Sequence, residues 1–246
     1  MQTTVEENQP EQERLGGAFF ALLGLIARLR APDGCPWDAK QTEESVKIYV
    51  LEEAYEVLDA IERGSSKDLC SELGDLLFQI LFLARMAEEK NHFTLTDVLD
   101  KITKKMIHRH PHVFGSAKVR SAEEVAENWD KIKKQERGAA ESSPELLKDV
   151  PAGLPALLRA HRLIERAGRL GATRGDGEKI LKDAEEAFRS LRENVADKNK
   201  EAIGDDIGRS LFHMVDLARH WGWNAESLLR KANERFLRSF QEGEEQ

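Results

Sequence analysis

The chain is predicted to be all-α, built as two helical-bundle domains in tandem, and three observations carry that expectation. Apolar residues recur at helical spacing almost throughout, and strand signals are nearly absent. Residues 72–86 (ELGDLLFQILFLARM) align with 206–220 (DIGRSLFHMVDLARH) at an offset of 134, so that Gly74/Gly208, Leu77/Leu211, Phe78/Phe212 and the Leu-Ala-Arg runs at 83–85 and 217–219 coincide. Between the two halves lies a Gly/Ala/Ser/Pro-rich stretch, 138–155, that reads as a linker. The expected organisation is a tail over 1–15, a first domain over 16–137, the linker, and a second domain over 156–241.

The elements follow in order. Met1 to Arg14 is polar and acidic, without a secretory pattern. A helix is expected over 16–30; the uncharged run from Leu15 to Ala27 is too short to span a bilayer, and its glycines suit a packed helix. After the Pro36-Trp37-Asp38 turn come helices over 43–63 and 66–90. Gly64-Ser65-Ser66 separates them, and Ser65 with Asp68 reads as a capping box. A helix over 94–109 ends at Pro111, and one over 121–137 closes the first domain. The second half repeats the pattern with helices near 156–170, 177–196, 200–221 and 224–240.

Composition narrows the function. A net charge of −8 argues against broad nucleic-acid binding and against docking on anionic lipid. Cys35 and Cys70 suggest a reducing compartment rather than a disulfide framework, so a cytoplasmic location is expected. Neither thiol has a nucleophile's surroundings in the sequence.

The informative feature is a set of four carboxylates. Glu53 and Glu56 precede the Gly64 turn, Glu72 and Asp75 follow it, and Glu56 and Glu72 each stand eight residues from Gly64. At about 1.5 Å rise per helical residue, both pairs fall at the same height, roughly 12 Å from the hairpin end. Residues three apart share a helix face, so each helix aims two carboxylates at one point. Oxygen-only ligands call for a hard divalent cation, Mg²⁺ or Mn²⁺. Glutamates on helices are commonly just solvated, but Glu72 and Asp75 are the only charges in the run 69–84, whose apolar residues predict burial on most sides. Applying the 134-residue offset puts Ala187, Ser190, Asp206 and Arg209 at the four positions. The second half is thus expected to keep the core and lose the metal site, with Arg209 filling the space or pairing with Asp205 or Asp206.

Four runs in this order resemble the MazG nucleoside triphosphate pyrophosphohydrolases: Cys35-Pro36-Trp37-Asp38, Leu51-Glu52-Glu53-Ala54-Tyr55-Glu56, Glu72-Leu73-Gly74-Asp75 and Arg109-His110-Pro111-His112-Val113-Phe114. The resemblance extends over most of the chain, including the tandem form. It implies an all-α, Mg²⁺-dependent, typically dimeric enzyme that splits nucleoside triphosphates between the α and β phosphates into a monophosphate and pyrophosphate, as nucleotide-pool housekeeping. It also implies that Glu53, Glu56, Glu72 and Asp75 hold the metal. In some tandem members the second domain is the active one, so a departure is evident here: activity must rest on the first half.

Such a reaction needs an aligned water and neutralised phosphate charge. Glu53 or Glu56 is the candidate to accept the water's proton, and the sequence does not choose between them. Lys101, Lys104, Lys105 and Arg109 lie at helical spacing and either hold phosphates or form a solvated basic face. Trp37 either stacks on a base or anchors its loop against the core, the latter being favoured; Trp129 shares that ambiguity, and Trp221 and Trp223 are read as structural. His108, His110 and His112 are not read as a zinc site, because Pro111 breaks their spacing and no cysteine or carboxylate stands close. A different class also stays open: a non-catalytic nucleotide-binding or oligomerisation module. The apolar 69–84 helix favours self-association through a symmetric interface.

Overall fold

The structure, a computed structural model, describes residues 9–137, 145–172 and 175–244. Its described residues form twelve helices and no strand, confirming the all-α class. Packing divides the chain into two units, Met1–Arg120 and Ser121–Gln246.

The first unit holds α1 (Gln9–Arg30), α2 (Pro36–Lys40), α3 (Glu43–Arg63), α4 (Ser66–Glu89), α5 (Leu95–Arg109) and α6 (Pro111–Phe114). Helix α1 starts seven residues before the expected 16, because Pro10 and Glu11 suit a helix's first turn and Arg14 pairs with Glu11 at 3.2 Å. Helices α3 and α4 form the antiparallel hairpin expected around Gly64, which takes the left-handed conformation (φ 71°) that ends α3. Ser65 Oγ accepts from the Asp68 amide, but this is only half of the expected box; reciprocal boxes form instead at Thr42/Ser45 and Thr94/Asp97. Ile26, Val46, Leu81, Phe82 and Met86 make the core, joining α1, α3 and α4.

One expectation fails on α4. Leu73, Leu77 and Ile80 are exposed, so the N-terminal half of α4 is covered on one side only; burial is concentrated from Leu81 onward, where α1 crosses. A two-helix hairpin leaves an outer face open.

The second unit holds α7 (Ala122–Arg137), α8 (Glu145–Lys148), α9 (Ala156–Arg169), α10 (Gly177–Ala196), α11 (Lys200–His220) and α12 (Ala225–Glu244). Helix α7, read from the sequence as the end of the first domain, falls here, and Arg169 of α9 reaches Asp130 at 3.4 Å. Of the expected linker, 138–144 lie outside the described residues and 145–148 are helical. Helices α10 and α11 repeat the α3–α4 hairpin, with Ile180, Ala184, Ala187, Val215 and Ala218 buried.

Candidate metal centre

The hairpin brings three of the four carboxylates together. Oxygen atoms of Glu53, Glu56 and Glu72 lie within 4.8 Å of one another, and this is the one such group among the described residues. Glu53 and Glu72 are half-buried and Glu56 is exposed; Asp75, also exposed, is not part of that group, though its charge acts on Glu53 and Glu72. The second pair therefore sits at the edge of the hairpin rather than in its interior, because the apolar run around it is itself partly exposed.

Electrostatics registers the crowding. Burial, then the charges of Glu56 and Asp75, pushes the Glu53 carboxyl above the ordinary glutamate range, against a hydrogen bond from Gln79. Glu72 is pushed up by desolvation, then by the charge of Glu56, by a hydrogen bond shared with Glu56, and by Asp75. Among the described residues no lysine or arginine is ion-paired to any of the four. Clustered carboxylates without a cation fit a hard divalent ion, which removes the repulsion and uses oxygen ligands alone.

The other candidate residues are dispersed. Lys101, Lys104 and Lys105 are exposed on α5, with Lys104 3.6 Å from Asp100, while Arg109 is half-buried at the helix end. None of the three lysines is ion-paired to the carboxylate cluster. Trp37 is not a core anchor: it is 57% exposed, with its ring 6.3 Å from that of Tyr49 on α3. The favoured sequence reading is thereby corrected, since the short helix α2 turns the indole outward. Tyr49, missed from the sequence, precedes Glu53 by four residues and so shares its helix face. Trp221 and Trp223 are also exposed, lining an apolar groove of about 500 Å³ in the second unit with Leu211, Met214 and Leu228. His110 Nδ1 lies 2.6 Å from the Met106 carbonyl, a helix-end contact.

At the repeated positions the second unit has replaced the cluster with a closed network. Asp206, 4% exposed, accepts from Ser190 Oγ and Asn194 Nδ2, both at 2.8 Å, and from Arg209. The amide and hydroxyl donors, then Arg209, hold the Asp206 carboxyl below the usual aspartate range. Of the two partners open to Arg209, Asp206 is the one it takes.

The MazG nucleotide pyrophosphohydrolase domain matches residues 41–114, which contain all four carboxylates. A nucleoside triphosphate pyrophosphohydrolase of Escherichia coli K12 is 43% identical over 228 residues, spanning 91% of this chain and 86% of that protein. The nucleoside triphosphate pyrophosphohydrolase/pyrophosphatase MazG of Thermotoga maritima is 37% identical, spanning 94% and 87%. A crystal structure of a MazG-related protein from Thermotoga maritima covers 46% of this chain and 97% of its own, with 31% identity and a TM-score of 0.41. With its carboxylate hairpin inside the matched segment and relatives aligned over nearly their full lengths, this chain belongs to the MazG nucleotide pyrophosphohydrolase family.

Proposed function

We propose that this protein hydrolyses nucleoside triphosphates between the α and β phosphates, releasing a nucleoside monophosphate and pyrophosphate, with the first unit as the active one. The observation that carries the reading is the cluster of Glu53, Glu56 and Glu72, to which no lysine or arginine is ion-paired among the described residues, in a chain 43% identical to a nucleoside triphosphate pyrophosphohydrolase across most of both proteins.

Glu53, Glu56, Glu72 and Asp75 are assigned as ligands of Mg²⁺, with Mn²⁺ as a substitute. When bound, the metal offsets phosphate charge and acidifies water. The chain's own residues do the rest. The helical hairpin brings Glu53, Glu56 and Glu72 within reach of one another, which supports their sharing an ion without rearrangement. A carboxylate oxygen of Glu53 or Glu56 left outside the metal's coordination accepts the attacking water's proton as the phosphoanhydride opens. Gln79 holds Glu53 through its side-chain hydrogen bond. Lys101, Lys104, Lys105 and Arg109 on α5 are assigned to the leaving pyrophosphate, and Trp37 with Tyr49 offers a π-face to the base.

The second unit is assigned a scaffolding role, its carboxylate pocket being closed by Arg209. Two copies of the chain are proposed to pair. Exposed Ile61, Leu73 and Leu77 on one hairpin, repeated as Val195, Ile207 and Leu211 on the other, support this. Two unpaired cysteines support a reducing, cytoplasmic setting.

The test is pyrophosphate release from a panel of nucleoside triphosphates, with Mg²⁺ or EDTA, by wild type and Glu72→Gln. Release is expected to require metal and to fall by about two orders of magnitude or more in the variant. Metal-independent release, or none from folded wild type with Mn²⁺ also tried, would sink the reading.

A further inference from the structure

Arg30 at the end of α1 is held by several partners, none of them one of the four carboxylates. Its side chain is 9% exposed. Nε and Nη2 donate to the Glu89 carboxylate at the end of α4, at 2.8 to 3.1 Å. Nη1 donates to the backbone carbonyls of Asp38 (2.7 Å) and Gln41 (3.4 Å), and the guanidinium lies 5.2 Å from the centre of the Phe82 ring. A single planar group therefore ties α1, the Cys35–Gln41 turn and α4 together, a task suited to arginine's fixed fork.

The turn so held carries Trp37. Gln41 Nε2 donates to the Trp37 carbonyl at 3.2 Å, and the Cys35 amide donates to the Leu29 carbonyl at 2.8 Å. A Cβ at Gly34 would collide with the carbonyl oxygens of Arg28 and Leu29, so the chain closes on α1 only with glycine there. Every fastening acts on backbone, and the side chain left standing is an exposed indole beside Tyr49. Tyr49 sits one turn, roughly 6 Å, along α3 from Glu53.

A fixture that served folding alone would be expected in both repeats. The second repeat lacks the residues from which this one is built. At the 134-residue offset Asp216 on α11 stands opposite Phe82 and Trp223, beyond the end of α11, stands opposite Glu89, and the sequence 170–176 between α9 and α10 contains neither proline nor tryptophan. The residues of the clamp thus accompany the intact carboxylate set and are replaced where that set is replaced.

We propose that Arg30 is a positioning residue for nucleotide binding: by gripping the Asp38 and Gln41 carbonyls, it holds Trp37 on Tyr49 as the platform that receives the base. This rests on the hydrolase reading of the first unit. Its signature is a loss of affinity at a preserved chemical step, because the carboxylates lie outside the clamp.

The decisive variant is Arg30→Lys, which keeps the charge and the stem but cannot reach the carbonyls and Glu89 together. KM for the preferred triphosphate is expected to rise about tenfold with kcat within about twofold of wild type. Loss of folded protein alone would do the reverse, lowering apparent kcat at unchanged KM. A second readout is independent of turnover: ¹⁹F NMR of full-length protein labelled with 5-fluorotryptophan, the Trp37 resonance being identified by its loss in Trp37→Phe. In wild type that resonance is expected to shift on adding a non-hydrolysable α,β-imido nucleoside triphosphate with Mg²⁺. In Arg30→Lys it should be narrowed by motion and respond only at higher nucleotide concentration. Gln41→Leu, which leaves Arg30 in place and removes the bond to the Trp37 carbonyl, gives the same trend if Arg30→Lys does not fold. Wild-type hydrolysis together with unchanged KM and Trp37 resonance in both variants would overturn the proposal and leave the hydrolase reading intact. A wild type that neither releases pyrophosphate nor shifts Trp37 with nucleotide would overturn both.

Discussion

The same hairpin position carries opposite electrostatics in the two repeats, and single residues decide which. In the first, Glu53 and Glu72 crowd other carboxylates, and without metal they hold protons at a higher pH than the ordinary glutamate value of 4.5. Between that value and the raised one, the folded state binds more protons than the unfolded state, so the penalty is present above the raised pKa and relieved as pH falls through it. In EDTA, wild type is therefore expected to gain stability relative to Glu72→Gln as pH is lowered towards that range; parallel Tm-against-pH curves for the two would refute this. Asp206 runs the other way. Its carboxyl is held below 3.8 by Asn194 and Ser190, then Arg209, so its contribution is complete above 3.8 and lost as pH falls through the lowered value. Asn194→Ala, which removes the largest cause, should unfold at a higher pH during acid titration than wild type, read by circular dichroism. The cluster of Glu53, Glu56 and Glu72 was legible because the members of each pair lie three residues apart and Glu56 and Glu72 each lie eight from Gly64. Arg30 and Tyr49 were not, since what singles them out is what they touch through space.

At the scale of the element, the α3–α4 hairpin depends on one backbone conformation. Gly64 has φ 71° and ends α3, with open space where a Cβ would project. Gly64→Ala is therefore a conformational substitution without a clash, expected to destabilise by about 1 kcal/mol and to leave metal-dependent turnover intact in the folded fraction. Urea titration beside pyrophosphate release checks both halves of that statement. The hairpin itself was readable because helix periodicity, a turn glycine and an N-capping serine agreed at one place. Helix α6 was missed: Pro111 read as a stop, whereas proline is equally at home in the first turn of the next helix. The exposure of Leu73, Leu77 and Ile80 was also misjudged, because an apolar run states that a face needs cover without stating what covers it.

For the whole molecule, the proposed division of roles makes metal binding a folding term for the first unit only. A ligand that binds the folded state alone at a hundredfold excess over its Kd adds about 2.7 kcal/mol. Mg²⁺ is expected to slow hydrogen exchange in 43–89 and to leave 177–220 unchanged, as measured by mass spectrometry on the intact chain; uniform protection across both hairpins would contradict the division of roles. Arg209 gives this asymmetry a further meaning. The second hairpin carries its counter-ion covalently, so no chelator can remove it. Seen by a protease, a metal-stripped molecule is expected to present one slackened bend and one that is still taut. Subtilisin should nick it first around Gly64–Ser66, while the bend at Asp197–Asn199 outlasts it, and restoring Mg²⁺ should erase the difference.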